Sequence, residues 1–281
     1  MRCFSSSSSC FFSSSSVTSG LSALENFSAE DQKIIRGVLT AITSGQELDL
    51  RRFGRWGETA GEPSSPFAAR GDARPTTKII ALETAVELDD YTYRVAGCVG
   101  GFWTKICRAH LFPNAKLDEE QFIADGIRFG KGLQLVNILR DLPADFKNGR
   151  CYLPTERLDK AKLFPEVLFS PVNGEKFLKL YREYLDKAES HLAAGWRYTN
   201  TLPFPQFRVR LACAWPILIG MKTIKKLRAA SVIELQQRVK ISRGEVGEII
   251  LFSLLACPLP FAWRKLYYST AKAVAPGAKL A

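Results

Sequence analysis

From Ser28 onward, apolar positions recur at intervals of three and four through most of the chain, the spacing of one face of an α-helix. Ile34, Ile35, Val38, Leu39 and Ile42 form the first such face. It follows Ser28-Ala-Glu-Asp31, a capping box with Ser28 as N-cap and Asp31 where Glu or Gln is usual. The same spacing predicts helices over about 78–108, 118–141, 172–200, 206–229 and 243–270. Prolines at 203, 205, 216, 258 and 260 mark their ends or kinks. No segment alternates at period two, and no internal repeat is present. The pattern therefore predicts an all-α fold, a single domain of long helices over residues 21–275. Within it, residues 54–77 are rich in Gly, Pro, Ser and Ala and predict a surface loop. The first 20 residues, MRCFSSSSSCFFSSSSVTSG, are a low-complexity serine tail that cannot pack a core.

Composition narrows the chemistry. The chain has 281 residues, 46% hydrophobic and 24% charged, which is enough to bury a core and excludes bulk disorder. Seven scattered cysteines form no C-x-x-C pair, and there are two histidines, so neither a zinc module nor a Ser-His-Asp hydrolase is expected. The odd, dispersed cysteine set points to a reducing compartment. A cytoplasmic setting is the expectation; the acid-free serine tract is the one organellar, transit-like feature. The net charge of +11 fits nucleic acid, an anionic membrane surface or a phosphorylated small molecule. The cations are spread out, with no basic run and no aromatic-basic RNA motif, so no nucleic-acid partner is expected.

The most informative stretch is Gly130-Lys-Gly-Leu-Gln-Leu-Val-Asn-Ile-Leu-Arg-Asp-Leu-Pro-Ala-Asp145. On a helix advancing about 100° per residue, Gln134, Asn137, Asp141 and Asp145 fall within an arc of about 80°. Leu135, Val136 and Leu139 lie outside it. A solvated face would mix Lys with Glu; this one carries short carboxylates and amides, and it predicts a polar seam facing an enclosed cavity. Aspartates at i and i+4 place their carboxylates about 5–6 Å apart. That spacing suits a shared Mg²⁺, which takes its remaining oxygens from phosphate and water. Pro143 is expected to kink or end the helix between the two acids. The turn Asn148-Gly-Arg-Cys-Tyr-Leu-Pro154 is placed to bring Arg150, a bidentate phosphate donor, back towards them. Arg140 falls on another face and reads as structural.

Three segments in this order carry a resemblance. Gln134 to Asp145 with Gly149-Arg-Cys-Tyr-Leu-Pro154 resembles the second aspartate-rich motif of the squalene/phytoene synthase family. Tyr91-Thr-Tyr-Arg-Val-Ala-Gly-Cys-Val-Gly100 is similar to its Tyr-x-x-x-Val-Ala-Gly-x-Val-Gly helix, and Val239-Lys-Ile-Ser-Arg-Gly-Glu245 to its late basic segment. The resemblance spans roughly residues 28–270. It implies an isoprenoid-synthase-type helical bundle that joins two prenyl diphosphates head to head. It further implies that Asp141 and Asp145 hold Mg²⁺, that Gln134, Asn137 and Val95 line the substrate pocket, that Arg150 grips phosphate, and that Tyr91 sits beside the reacting carbons. Lys240 and Arg243, at i and i+3, read either as diphosphate ligands or as a solvated face. Ala96, Gly97, Gly100 and Gly101 read either as a smooth bed for a prenyl tail or as a close helix contact. The resemblance admits NADPH as a reductant, for which the chain has no Gly-rich fingerprint to inspect.

The family's first aspartate-rich motif has no counterpart in this chain. Before Tyr91 stand Glu47-Leu-Asp49, with no Asp-x-x-x-Asp, and the i, i+4 pair Glu83 and Glu87, which reads as surface acids, the alternative being a substitute for the motif. The expectation is an N-terminally truncated bundle. Three functions follow: a farnesyl diphosphate-joining enzyme of the squalene synthase type, a phytoene synthase using geranylgeranyl diphosphate, or a non-catalytic relative that binds prenyl diphosphate or a partner. Residues 249–268 add a membrane question. Ile249 to Trp263 carry no charge and precede Arg264, Lys265, Tyr267 and Tyr268. They are too short to span a bilayer, and read either as a core-closing helix or as a peripheral membrane contact.

Overall fold

The computed structural model describes residues 24–54 and 79–271; the serine tract and the expected loop after Gly54 lie outside the described residues. Helix α1 (Ala29–Phe53) is followed by a short strand β1 (Ile80–Ala81) and then by α2 (Ala85–Thr92). A π turn at Tyr93–Gly97 joins α2 to α3 (Cys98–Leu111) as one rod. Helix α4 (Glu119–Lys147), strand β2 (Arg150–Cys151) and α5 (Thr155–Lys160) come next. Helices α6 (Gly174–Thr201) and α7 (Phe207–Ala229), one-turn α8 (Val232–Leu235), α9 (Arg243–Ala256) and α10 (Pro260–Ala271) complete the order. The all-α expectation holds.

At the centre α6 lies along α4 and α7 packs against both. Leu135, Leu139 and Leu142 of α4, Phe177, Tyr181 and Leu192 of α6, and Ile217, Leu218 and Met221 of α7 share one apolar core. Burying such side chains stabilises by about 1.5–3 kcal/mol each before conformational entropy is subtracted. On one side α1 packs on the α2–α3 rod; on the other α9 and α10 pack on α7.

The start of α1 forms as its sequence dictates, with one change. Ser28 Oγ accepts the Asp31 N–H at 3.1 Å. Asp31 does not close the box onto the backbone: it accepts the Ser28 hydroxyl at 2.8 Å and meets His110 Nε2 at 2.8 Å, tying α1 to the end of α3.

Pro143 neither ends nor interrupts α4, which continues to Lys147. Proline removes the amide that would bond the carbonyl of Leu139. The buried Tyr181 hydroxyl donates to that carbonyl at 2.9 Å instead, so α6 supplies the missing partner and the helix carries both aspartates. Two other boundaries move. The helix expected from 78 begins at Ala85, because Ile80–Ala81 pairs in parallel with Arg150–Cys151. The helix expected over 243–270 breaks into α9 and α10 at Pro258 and Pro260.

The glycines near Tyr91 are resolved as a close helix contact. A Cβ on Gly100 would stand 1.9 Å from the Gly126 carbonyl oxygen, and one on Gly130 would stand 2.2 Å from that of Ala96. Both are far inside van der Waals contact, so the α3 and α4 backbones touch where they cross.

Candidate functional site

The site is assembled around the C-terminal end of α4. Asn148 ends that helix and Gly149 turns the chain at φ 71°, a conformation that suits glycine. The backbone then pairs with β1: the Ile80 N–H donates to the Gly149 carbonyl at 2.8 Å and the Leu82 N–H to that of Cys151 at 3.1 Å. This clamp sets Arg150 and Tyr152 next to the end of α1 and the start of the Tyr91 helix.

Asp49, in the last turn of α1, is the residue they converge on. Its Oδ1 accepts the Tyr152 hydroxyl at 2.9 Å, and its Oδ2 lies 3.3 Å from Arg150 Nη1. The Tyr91 and Tyr152 rings stack with centroids 4.9 Å apart, and the Tyr91 hydroxyl donates to that of Tyr152 at 3.4 Å. The result is a hydrogen-bonded file, Tyr91 to Tyr152 to Asp49, with the Arg150 guanidinium also lying 5.6 Å over the Phe53 ring. Burial raises the Tyr91 hydroxyl to about 12, and the neighbouring carboxylates Asp49 and Asp145 add to that; it stays protonated at neutral pH. Burial likewise raises Asp49, against the opposing pull of Tyr152, Arg150 and Arg52.

The two aspartates of α4 differ. Burial alone would raise Asp141, but two guanidiniums reverse this and leave it below the usual carboxylate range. Arg140 donates from Nε to Oδ1 at 3.1 Å and from Nη2 to Oδ2 at 2.5 Å, and Arg238 Nε donates to Oδ1 at 3.0 Å. Asp145 has no hydrogen bond or ion pair from its carboxylate among the described residues. Burial first, then the charges of Asp141 and Asp49, push it up to about 7, with Arg150 opposing. An unpartnered, half-buried carboxyl between two other acids is a place where a cation would be stabilised. The described residues hold no group of three or more metal-type side chains within range of one ion. Mg²⁺ uses one or two protein carboxylates and completes its shell from phosphate and water, so the Asp141–Asp145 pair fits it without a third acid.

The remaining expected residues divide. Gln134 is half-buried and Asn137 exposed, so the seam opens to solvent rather than facing an enclosed cavity. Val95 packs on α1: its Cγ1 would be 3.1 Å from a Cβ at Gly45. The Lys240 and Arg243 side chains are exposed, with no hydrogen bond or ion pair among the described residues, as a solvated face would have. Glu87 accepts the Glu83 N–H at 2.7 Å and pairs at 2.9 Å with Arg52, whose charge also acts on Asp49. A groove of about 870 Å³ between α1, α3 and the start of α4 contains none of the seam residues.

Four residues were not expected here. Arg140 falls off the seam by periodicity, but its long side chain curls onto the adjacent carboxylate. Arg238 lies one residue before the basic segment Val239–Glu245 and 97 residues from its partner Asp141. Tyr152 stands in the turn that follows α4 and carries no motif of its own. Asp49 did carry a signal: an acid in the last turn of a helix opposes the macrodipole and calls for a compensating cation.

Comparison with known proteins bears on this arrangement. The squalene/phytoene synthase family model matches residues 17–245. The chain belongs to the squalene/phytoene synthase family. Among curated relatives, the 15-cis-phytoene synthase of Synechocystis sp. is 36% identical over 128 residues, which is 43% of this chain and 37% of that protein. The squalene synthase of Schizosaccharomyces pombe is 30% identical over 180 residues, 62% of this chain and 37% of that protein. The chain thus aligns with little more than a third of the length of either. The fold is that of squalene synthase structures. A chain described as "The complex structure of TcSQS with ligand, BPH1237" superposes with a TM-score of 0.65 at 20% identity, covering 91% of this chain and 66% of that one. The ligand E5700 complex of TcSQS gives 0.66 at 19% identity, covering 92% and 68%. Prenyl transfer is the chemistry of this family; its members named here make either squalene or phytoene, so membership alone leaves the chain length of the prenyl group open.

Proposed function

We propose that this chain is a prenyltransferase that joins two prenyl diphosphates head to head, with farnesyl diphosphate as substrate and geranylgeranyl diphosphate as the alternative. The observation that carries the reading is the unpartnered Asp145 carboxyl beside Asp141, facing Arg150 and the Tyr91–Tyr152–Asp49 file. Asp141 and Asp145 would hold Mg²⁺, which when bound neutralises diphosphate charge. Arg150 exchanges its 3.3 Å contact with Asp49 for phosphate oxygens and binds the leaving group as its carbon–oxygen bond breaks. Arg140 and Arg238 orient Asp141 and supply further positive charge. Gln134, Asn137 and Val95 border the substrate on the α4 and α2–α3 sides. Tyr91 remains neutral, so its ring face stabilises the allylic cation while its hydroxyl stays anchored on Tyr152 and cannot trap that cation. NADPH would enter only if the product is reduced.

A second reading has its own support. Both oxygens of Asp141 are held by guanidiniums and Asn137 is open to water, an arrangement suited to binding prenyl diphosphate without turnover. The two are separated by incubating the purified chain with labelled farnesyl diphosphate or geranylgeranyl diphosphate and Mg²⁺. A C30 or C40 product establishes catalysis and the chain length together. Saturable Mg²⁺-dependent binding with no product leaves the non-catalytic reading, and no binding of either substrate overturns both.

A further inference from the structure

The stretch from Ile249 to Tyr268 is a core-closing element on one side only. Its inner face is locked: the Trp215 indole N–H donates to Ser253 at 2.8 Å, and the Trp263 indole to Asn200 at 2.9 Å. The Trp196 ring stacks on Trp263 and Tyr267 at 5.1 and 4.9 Å. These contacts fix which side of α9 and α10 faces outward. That side is apolar: Leu251 and Phe252 are each 55% exposed, Leu255 61%, Leu259 57% and Phe261 81%. Beside it, the turn into α7 exposes Phe204 and Phe207, with the Arg210 guanidinium bridging the Phe204 and Trp263 rings at 5.9 and 5.5 Å.

Charge selects what covers this face. The chain has no acidic residue from Thr201 to Ile233, and none after Glu248. The fold packs the first segment, α7, against α10 and against α9, whose two acids, Glu245 and Glu248, lie in its first turns and pair with Lys222 and Lys226 of α7. Arg208, Arg264 and Lys265 stand exposed among them, beside the exposed ring of Tyr268. A second copy of this chain, itself carrying +11, would bring cation against cation. Apolar side chains flanked by Arg, Lys and Tyr are instead the composition of a helix seated at a lipid interface. No helix among the described residues is long and apolar enough to cross a membrane.

We propose that the outer face of α9–α10, with the Phe204–Phe207 turn, docks the protein peripherally on an anionic lipid surface. Phe261, Leu255 and Leu259 enter the headgroup–acyl boundary while Arg208, Arg264 and Lys265 meet the headgroups. This does not require turnover.

Co-sedimentation of the full chain with vesicles tests it, using phosphatidylcholine alone or mixed with phosphatidylglycerol, at low and high salt. The protein is expected to pellet with the mixed vesicles at low salt and to be largely released by high salt. Arg264→Glu with Lys265→Glu should weaken binding roughly tenfold or more. Leu255→Asp with Phe261→Asp, at positions outside the core, should abolish it with the far-UV spectrum unchanged. Protein remaining in the supernatant at low salt overturns the proposal, as does equal binding to both vesicle types. So would a concentration-dependent dimer in lipid-free sedimentation velocity that Leu255→Asp disperses.

Discussion

Asp145 is where the electrostatics of the site are least balanced. Its folded-state value, about 7, lies above the ordinary 3.8 of an aspartate because it is buried beside like charge. Between about pH 4 and 7 the folded protein therefore holds a proton that the unfolded chain has released, so this group makes stability fall as pH rises. Asp145→Asn is expected to raise Tm by about 2–5 °C near pH 8 without divalent cations, and to change it little near pH 4. Calorimetric scans at both values check this; an equal shift at both would mean that side-chain shape, not charge, is responsible. Arg150 gives a second test. Arg150→Lys keeps the charge but loses both the planar fork and the position over Phe53, and pyrophosphate affinity by titration calorimetry should fall roughly tenfold. Equal affinity would make Arg150 a distant charge.

Between elements, the α3–α4 crossing depends on backbone contact. Gly100→Ala would force a methyl group to within 1.9 Å of the Gly126 carbonyl, which no rotamer relieves. The expected cost is about 2–4 kcal/mol, read from urea denaturation. Gly37→Ala is the matched control. It lies mid-helix in α1 with nothing within 4 Å of the added Cβ, and should stabilise by about 0.5–1 kcal/mol. Destabilisation at both sites would point to a general intolerance of helical substitution instead. The π turn at Tyr93–Gly97 belongs to the same crossing: it inserts extra backbone between Tyr91, which faces Tyr152, and the glycine contact one turn on.

Over the whole molecule, one apolar cluster runs from Phe53 of α1 through α4, α6 and α7 to Trp263 and Tyr267 of α10. The α9–α10 layer and the candidate site therefore share a core. Unfolding by urea is expected as one transition, with tryptophan fluorescence from Trp196, Trp215 and Trp263 coinciding with helical circular dichroism. An earlier fluorescence change would mean that α9–α10 opens as a separate unit.

Local chemistry was enough to determine much of this. Apolar spacing alone gave the long helices, since a helix must bury one stripe, and Gln134, Asn137, Asp141 and Asp145 share a face by helical geometry in any fold. Ser28 caps α1, and Pro258 and Pro260 break the last helix, because those effects act within a few residues. Contacts between distant segments had to come from the tertiary structure. Pro143 is harmless because Tyr181, 38 positions later, satisfies the freed carbonyl. Arg238 reaches Asp141 across 97 positions, and Asp49 meets Arg150 and Tyr152 across 101 and 103. Periodicity cannot show such partners, because it records which way a side chain points and not what it will find there. The same limit applied to residues 249–263: their sequence carries no charge on either side, and which half became core was set by where Trp215, Asn200 and Trp196 stood to receive it.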